Sequence, residues 1–143
     1  MRVITGTARG RRLKEPQGMD IRPTTDKVKE SMFSILQFDI EGRRVLDLFG
    51  GTGQLGIEAL SRGASEVVFV DKSAAALKLI RENLELCGLS DRARVRNGDS
   101  LAYLRSGEKF DLVFLDPPYD TGLLEQALQD IAGFDICREH GII

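Results

Sequence analysis

Asp116-Pro117-Pro118-Tyr119 directly follows an apolar run, Leu112-Val113-Phe114-Leu115, and this succession of residue types can do chemistry. Two consecutive prolines remove two backbone donors and hold the exit from a strand to one path, which leaves carbonyls ready to accept hydrogen bonds. An amine attached to an aromatic base is a poor nucleophile because its lone pair is delocalised into the ring. Hydrogen bonds from its N–H groups to the Asp116 carboxylate and the Pro117 carbonyl would localise that lone pair toward an electrophile. Tyr119 offers a face on which an extruded base would stack, a contact worth about 1–3 kcal/mol in nucleic-acid sites. The competing reading is a proline-stiffened turn carrying an ordinary surface tyrosine.

A second constellation lies upstream. Gly51-Thr52-Gly53-Gln54-Leu55-Gly56 has the spacing in which glycines let a backbone turn tightly and approach a ligand at a helix N-terminus. An apolar strand precedes it, and Asp71 closes the next strand fifteen residues past Gly56, where an acid can bind ribose hydroxyls. Asp47 lies inside the first strand, while Asp71, Asp99 and Asp116 follow three others. All four are expected to rim one crevice. A carboxylate about 8 Å from a pyrophosphate costs roughly 2 kcal/mol at an effective dielectric near 20, so a dinucleotide or a nucleoside triphosphate is a poor guest. S-adenosylmethionine carries a sulfonium and an ammonium against one carboxylate, and the same acids attract it. The turn also lacks the Lys-Ser/Thr of a phosphate-binding loop. Asp71 and Asp99 have a rival role as turn or helix-capping acids, and Asp47 as a buried acid satisfied by loop N–H groups.

The elements that must position these residues are legible in the hydrophobic pattern. Apolar strands at 45–49, 67–70 and 112–115, with a weaker one at 93–97, alternate with amphipathic segments. One of these is a helix capped by Ser73, with a Leu77, Ile80, Leu84 and Cys87 stripe ending at Gly88; another carries Leu124, Ala127, Leu128 and Ile131. The alternation predicts an α/β fold, a doubly wound and mostly parallel sheet covered on both faces. In such a sheet, strands one and four flank the switch point, so residues 47–53 and 116–119 should meet. Gly141-Ile142-Ile143 reads as a strand just beginning, and the last strands of the fold are expected to be absent from this chain. Upstream, Val3-Ile4-Thr5 and Arg11-Arg12-Leu13-Lys14 flank a turn-like stretch and predict a short hairpin. A helix follows, with Val28, Met32, Ile35 and Leu36 on its apolar face. The expected division is residues 1–23 as a basic hairpin and linker and 24–143 as the S-adenosylmethionine-binding domain.

The 143 residues carry a net charge of -2 that hides an asymmetry: residues 1–29 hold eight Lys or Arg against three Asp or Glu. Arg2, Arg9, Arg11, Arg12 and Lys14 could neutralise phosphates with release of counterions, or could be solvated charges that protect a sheet edge. Cys87 and Cys137 form no CxxC pair, so neither a disulfide framework nor a metal site is expected. Neither lies near the Asp116 corner, which disfavours methylation at a pyrimidine carbon through a cysteine nucleophile and favours an amine. His140 has no evident acid partner. No apolar run approaches the roughly 20 residues needed to span a bilayer, and a cytoplasmic protein is expected.

Taken together, the motifs resemble the RsmD-type 16S rRNA guanine-N2 methyltransferases, within the class I S-adenosylmethionine-dependent methyltransferase superfamily. The resemblance rests on Arg2-Val3-Ile4 with Gly10-Arg11-Arg12-Leu13; on Arg22-Pro23-Thr24 through Glu30-Ser31-Met32-Phe33; on Asp47-Leu48-Phe49-Gly50-Gly51-Thr52-Gly53 with Leu55-Gly56-Ile57-Glu58-Ala59-Leu60-Ser61-Arg62-Gly63-Ala64; and on Asp116-Pro117-Pro118-Tyr119. It implies that Asp47, Gly51 and Gly53 line the methionine end of the cofactor, Asp71 the ribose and Asp99 the adenine, with Arg22 and Thr24 approaching from the preceding segment. It also implies that the basic hairpin touches rRNA. Gly50 and Thr52 depart from the Ala and Ser more usual in the family. The implied partner is 16S rRNA in an assembling small ribosomal subunit, met by a monomer without metal or membrane. The rival readings are an adenine-N6 methyltransferase, a non-catalytic RNA-binding or assembly factor, and a dehydrogenase, the last opposed by the acidic rim.

Overall fold

A computed structural model describes residues 2–15, 26–49, 52–115, 122–133 and 136–143. In chain order these form α1 (Asp26–Ile35), β1 (Arg44–Leu48), α2 (Gln54–Ser61), β2 (Glu66–Asp71), α3 (Ala74–Cys87), β3 (Ala93–Asn97), α4 (Ser100–Tyr103), β4 (Phe110–Leu115), α5 (Leu123–Gly133) and β5 (Cys137–Ile142). The five strands make one sheet in the order β3-β2-β1-β4-β5, and every neighbouring pair is parallel. The order reverses between β1 and β4, as the alternating pattern predicts. Among the described residues, no helix is long and apolar enough to cross a membrane.

The sheet buries both faces, which is why its central strands read as nearly continuous apolar runs. Alternation of side chains sorts them into two cores. Val45, Val67, Phe69, Leu112 and Phe114 face α2 and α3 together with Phe33 and Leu36. Leu46, Leu48, Val68, Val70 and Val113 face Leu104, Ala127 and Ile131 on the other side. Val3, Ala8 and Leu13 are buried in the first of these cores, so residues 2–15 pack against the body of the molecule. Their hairpin consists of a single antiparallel bridge, Arg2 with Arg12, framed by Val3 N–H to the Arg11 carbonyl and Gly10 N–H to the Val3 carbonyl, each 2.9 Å.

Three local expectations need correction. The first strand ends at Leu48, because Phe49 adopts φ +60°, a left-handed conformation that no strand continues. The last strand is not just beginning at Gly141: it starts at Cys137 and pairs with β4 across a register shift between Phe110 and Leu112. A Cβ at Gly141 would lie 2.8 Å from the Arg138 carbonyl oxygen, so the irregular pairing requires glycine there. The third correction concerns α1, which buries Lys29 and Phe33, whereas Val28 and Ile35 face outward at 52% and 81% exposure.

Candidate active site

The carboxyl ends of β1, β2 and β4 lie side by side, with Leu48 between Val70 and Leu115. Asp47 is one residue below that edge and only 3% exposed. Strand alternation points it toward α2, where its Oδ2 accepts the Gly56 N–H at 3.1 Å. Gly56 lies in the first turn of α2, where backbone donors lack helical partners and the dipole favours an anion. Asp47 is therefore held as the rival reading of it describes, a buried acid that accepts a backbone N–H, here from the first turn of α2.

The turn itself is geometrically demanding. Gly53 sits at φ +78° as the residue that opens α2, and a Cβ there would press on Ile80 at 3.0 Å. At Gly56 a Cβ would lie 2.3 Å from Phe69 and 2.9 Å from Val67, so glycine is needed for α2 to close on the sheet. Phe49 is held left-handed, a conformation that costs a residue with a side chain about 1–2 kcal/mol. Strain of this kind collects where a backbone must take one particular path. Gly51 lies outside the described residues.

Asp71 and Asp99 stand at the same edge, Asp71 as the last residue of β2 and Asp99 two residues past β3. Asp71 Oδ1 accepts the Ser73 N–H at 2.9 Å, and Asp99 Oδ1 caps α4 by accepting the Leu101 N–H at 3.0 Å. Both thus perform the turn and capping roles raised from sequence. A carboxylate has about four acceptor sites, so capping and hydroxyl binding are compatible. Gln54, the first residue of α2, is 3% exposed. Its Oε1 is the one buried side-chain polar atom without a partner among the described residues. A buried acceptor at a glycine turn, on a sheet edge that also carries three carboxylates, suits a donor-rich, cationic group, whereas a phosphate would worsen the charge balance. The residues present therefore fit the ammonium and sulfonium of S-adenosylmethionine. Asp116, Pro117 and Tyr119, with Arg22 and Thr24, lie outside the described residues.

The five basic arm residues separate into two groups. Arg2 pairs with Asp26 at 3.3 Å and Lys14 with Glu82 at 2.7 Å, both at the surface. Arg9, Arg11 and Arg12 are exposed and make no ion pair among the described residues.

A buried polar cluster escapes the hydrophobic pattern altogether. Lys29 and Glu58 are both fully buried, with Nζ 3.7 Å from Oε1. Glu58 also accepts the Ile4 N–H at 2.8 Å, the Thr5 N–H at 3.0 Å and Arg62 Nε at 2.8 Å. The Arg62 guanidinium lies 4.8 Å over the Phe33 ring. Burial holds the Lys29 ammonium below the usual lysine range, against the opposing pull of Glu58 and Asp26. The signal available in the sequence was the Glu58–Arg62 spacing of four, a favourable helical pair. Nothing local marks Lys29 as its third member.

A parallel sheet whose strand order reverses beside a glycine turn is a Rossmann-like doubly wound fold, and its solved relatives mark it as the class I methyltransferase form: a methyltransferase of Escherichia coli matches it at TM-score 0.83 and 38% identity, over 92% of this chain and 72% of that one. A solved hypothetical protein of Thermus thermophilus shares it at TM-score 0.84 and 32% identity, over 99% of this chain and 82% of that one. The chain belongs to the family described as conserved hypothetical protein 95, the RsmD-type methyltransferases, which it matches over residues 1–143. It is 43% identical to YlbH of Bacillus subtilis over 147 aligned positions, covering all of this chain and 80% of that protein. Identity to ribosomal RNA small subunit methyltransferase D of Haemophilus influenzae is 41%, over 90% of this chain and 68% of the relative. Membership carries with it a methyl-donor cofactor.

Proposed function

We propose that this protein transfers a methyl group from S-adenosylmethionine to the exocyclic N2 amine of a guanine in 16S rRNA, acting as a cytoplasmic monomer on the assembling small subunit. The observation that carries the reading is the reversal of strand order between β1 and β4. It leads the chain out of the sheet at Leu115, immediately before Asp116-Pro117-Pro118-Tyr119, beside the strand that opens the glycine turn. The rRNA substrate and the guanine target are supported by the family and by relatives named for small-subunit rRNA methylation.

In this reading Asp47, Gly51 and Gly53 hold the methionine end of the cofactor, Asp71 the ribose hydroxyls and Asp99 the adenine, while Arg22 and Thr24 approach it from the preceding segment. The bound cofactor supplies an electrophilic methyl group. Asp116 and the Pro117 carbonyl accept the N–H bonds of the amine and aim its lone pair, and Tyr119 stacks on the extruded base. The acceleration comes from alignment and preorganised hydrogen bonding.

Labelled methyl transfer onto free 16S rRNA and onto assembled small subunits, followed by nucleoside mass spectrometry, tests this. Label is expected in N2-methylguanosine, with Asp116→Ala losing about a hundredfold or more in rate, the scale of removing one preorganised contact. Label in N6-methyladenosine would refute the guanine assignment. Absence of transfer to any form of the RNA would leave a binding or assembly role.

A further inference from the structure

Residues 4–8 are not part of the sheet, so their backbone groups need partners elsewhere, and α2 supplies them. Glu58 accepts the N–H groups of Ile4 and Thr5. The Ser61 hydroxyl donates to the Thr5 carbonyl at 2.6 Å and accepts the Ala8 N–H at 3.0 Å, and the Ser61 carbonyl accepts the Thr7 N–H at 2.8 Å. Lys29 donates to the Arg2 carbonyl at 2.5 Å. Beyond the exposed arginines the chain is held again: Asn83 of α3, fully buried, accepts the Lys14 N–H at 2.6 Å and donates to the Lys14 carbonyl at 3.1 Å. Arg9, Arg11 and Arg12 therefore project from a segment fastened at both ends.

We propose that Glu58 and Ser61 are positioning residues that fix this segment as a rigid platform, so that Arg9, Arg11 and Arg12 engage RNA phosphates at a set distance from the cofactor turn. The inference rests on the rRNA-methylating role and extends it. The same helix carries the cofactor turn at its first residue and holds the platform through Glu58 and Ser61, in its second half. Eight residues span about 12 Å, so the arginines grip RNA flanking the target and leave the reacting base to the other end of α2. A buried carboxylate that accepts three hydrogen bonds and pairs with a buried lysine is an expensive way to fill space. Its use here is specificity of placement, the best-attested role of buried ionic groups.

The test compares the wild-type protein with Ser61→Ala, Glu58→Gln, the triple variant Arg9→Ala/Arg11→Ala/Arg12→Ala, and each clamp variant combined with the triple. Purified 16S rRNA serves as the ligand for affinity, and the form of it that accepts the methyl group, free or in assembled small subunits, as the substrate. The triple variant should reduce the slope of log affinity against log salt by about 2 to 3, as for three phosphate contacts. Ser61→Ala should raise KM for rRNA about three- to tenfold, while kcat and the Kd for S-adenosylmethionine change less than twofold. In the triple background Ser61→Ala should add less than a twofold further loss, because a platform without arginines has nothing left to position. Glu58→Gln should behave likewise with a larger effect; if it does not fold, Ser61→Ala decides. Hydrogen exchange at the Ile4 and Thr5 amides should speed up at least tenfold in Glu58→Gln without change in β1 or β4. Equal losses in both backgrounds, or a parallel fall in cofactor affinity, would overturn the proposal. Wild-type affinity for rRNA that is indifferent to the three arginines would instead overturn the RNA reading of the arm itself.

Discussion

Gly56 shows how much one residue decides. Its lack of a side chain lets α2 lie against Phe69 and Val67, and its N–H ties the helix to Asp47. Gly56→Ala forces a methyl group to 2.3 Å from the Phe69 ring, so helix and sheet must separate. A loss of about 1–3 kcal/mol is expected, measured by urea unfolding, together with weaker S-adenosylmethionine binding as the Asp47 contact stretches. Gly133→Ala is the control, because a Cβ there meets nothing within 4 Å among the described residues; it should lose less than about 0.5 kcal/mol of stability. Equal effects at the two sites would mean that close packing is not what Gly56 provides.

At the scale of elements, α1 is the instructive case. Counting apolar positions points to Val28, Met32, Ile35 and Leu36, yet the buried face is Lys29, Phe33 and Leu36, with Met32 partly buried. Phe33 packs 5.6 Å from Phe114, ring centre to ring centre, beneath the stacked Arg62. Phe33→Ala should therefore cost about 3–5 kcal/mol, whereas Ile35→Ala should change stability by less than about 0.5 kcal/mol. Chemical denaturation of the two variants distinguishes the faces, and a larger loss at Ile35 would contradict the packing described. The helix is rotated from its hydrophobic reading because Lys29 has a carboxylate waiting in α2.

Across the whole molecule the two ends of the sheet differ in character. The carboxyl end holds the glycine turn, the strained Phe49 and the acids of the candidate site. The amino end is tied by Arg44, which bonds Glu66 at 3.1 Å, Glu108 at 3.0 Å and the Lys109 carbonyl at 2.9 Å while lying 4.4 Å over the Phe110 ring. The Tyr103 hydroxyl donates to Glu108; that bond, with the one from Arg44, holds the Glu108 carboxyl below its ordinary value of 4.5. A depressed carboxyl contributes stability that is present above the ordinary value and is lost as pH falls through the lower folded value. Tyr103 is shifted upward by burial and by Glu108, so its contribution holds at neutral pH and fades only in strong alkali. Thermal unfolding from pH 7 to pH 3 should show wild type above Glu108→Gln at neutrality, with the gap narrowing below about pH 4.5. A gap that stays constant through that range would exclude Glu108 as the titrating group.

What the sequence determined by itself was whatever depends on neighbours along the chain. Strand and helix alternation, the Ser73 and Gly88 caps of α3, the glycine turn and the acids after each strand all arise from local sterics, periodicity and backbone hydrogen bonding. They sufficed for a parallel sheet with its switch point between the first and fourth strands. Tertiary structure alone decided which charged groups go inside. Lys29, Glu58 and Asn83 are polar by type, and apart from the local Arg62 bond to Glu58 the partners that make their burial tolerable come from afar, from each other and from the backbone at Arg2, Ile4, Thr5 and Lys14. The same non-local packing divided the basic arm into paired Arg2 and Lys14 and outward Arg9, Arg11 and Arg12. A hydrophobic pattern records the cost of burying a side chain in the absence of partners, and it carries no information about partners that arrive from 27 to 69 residues away.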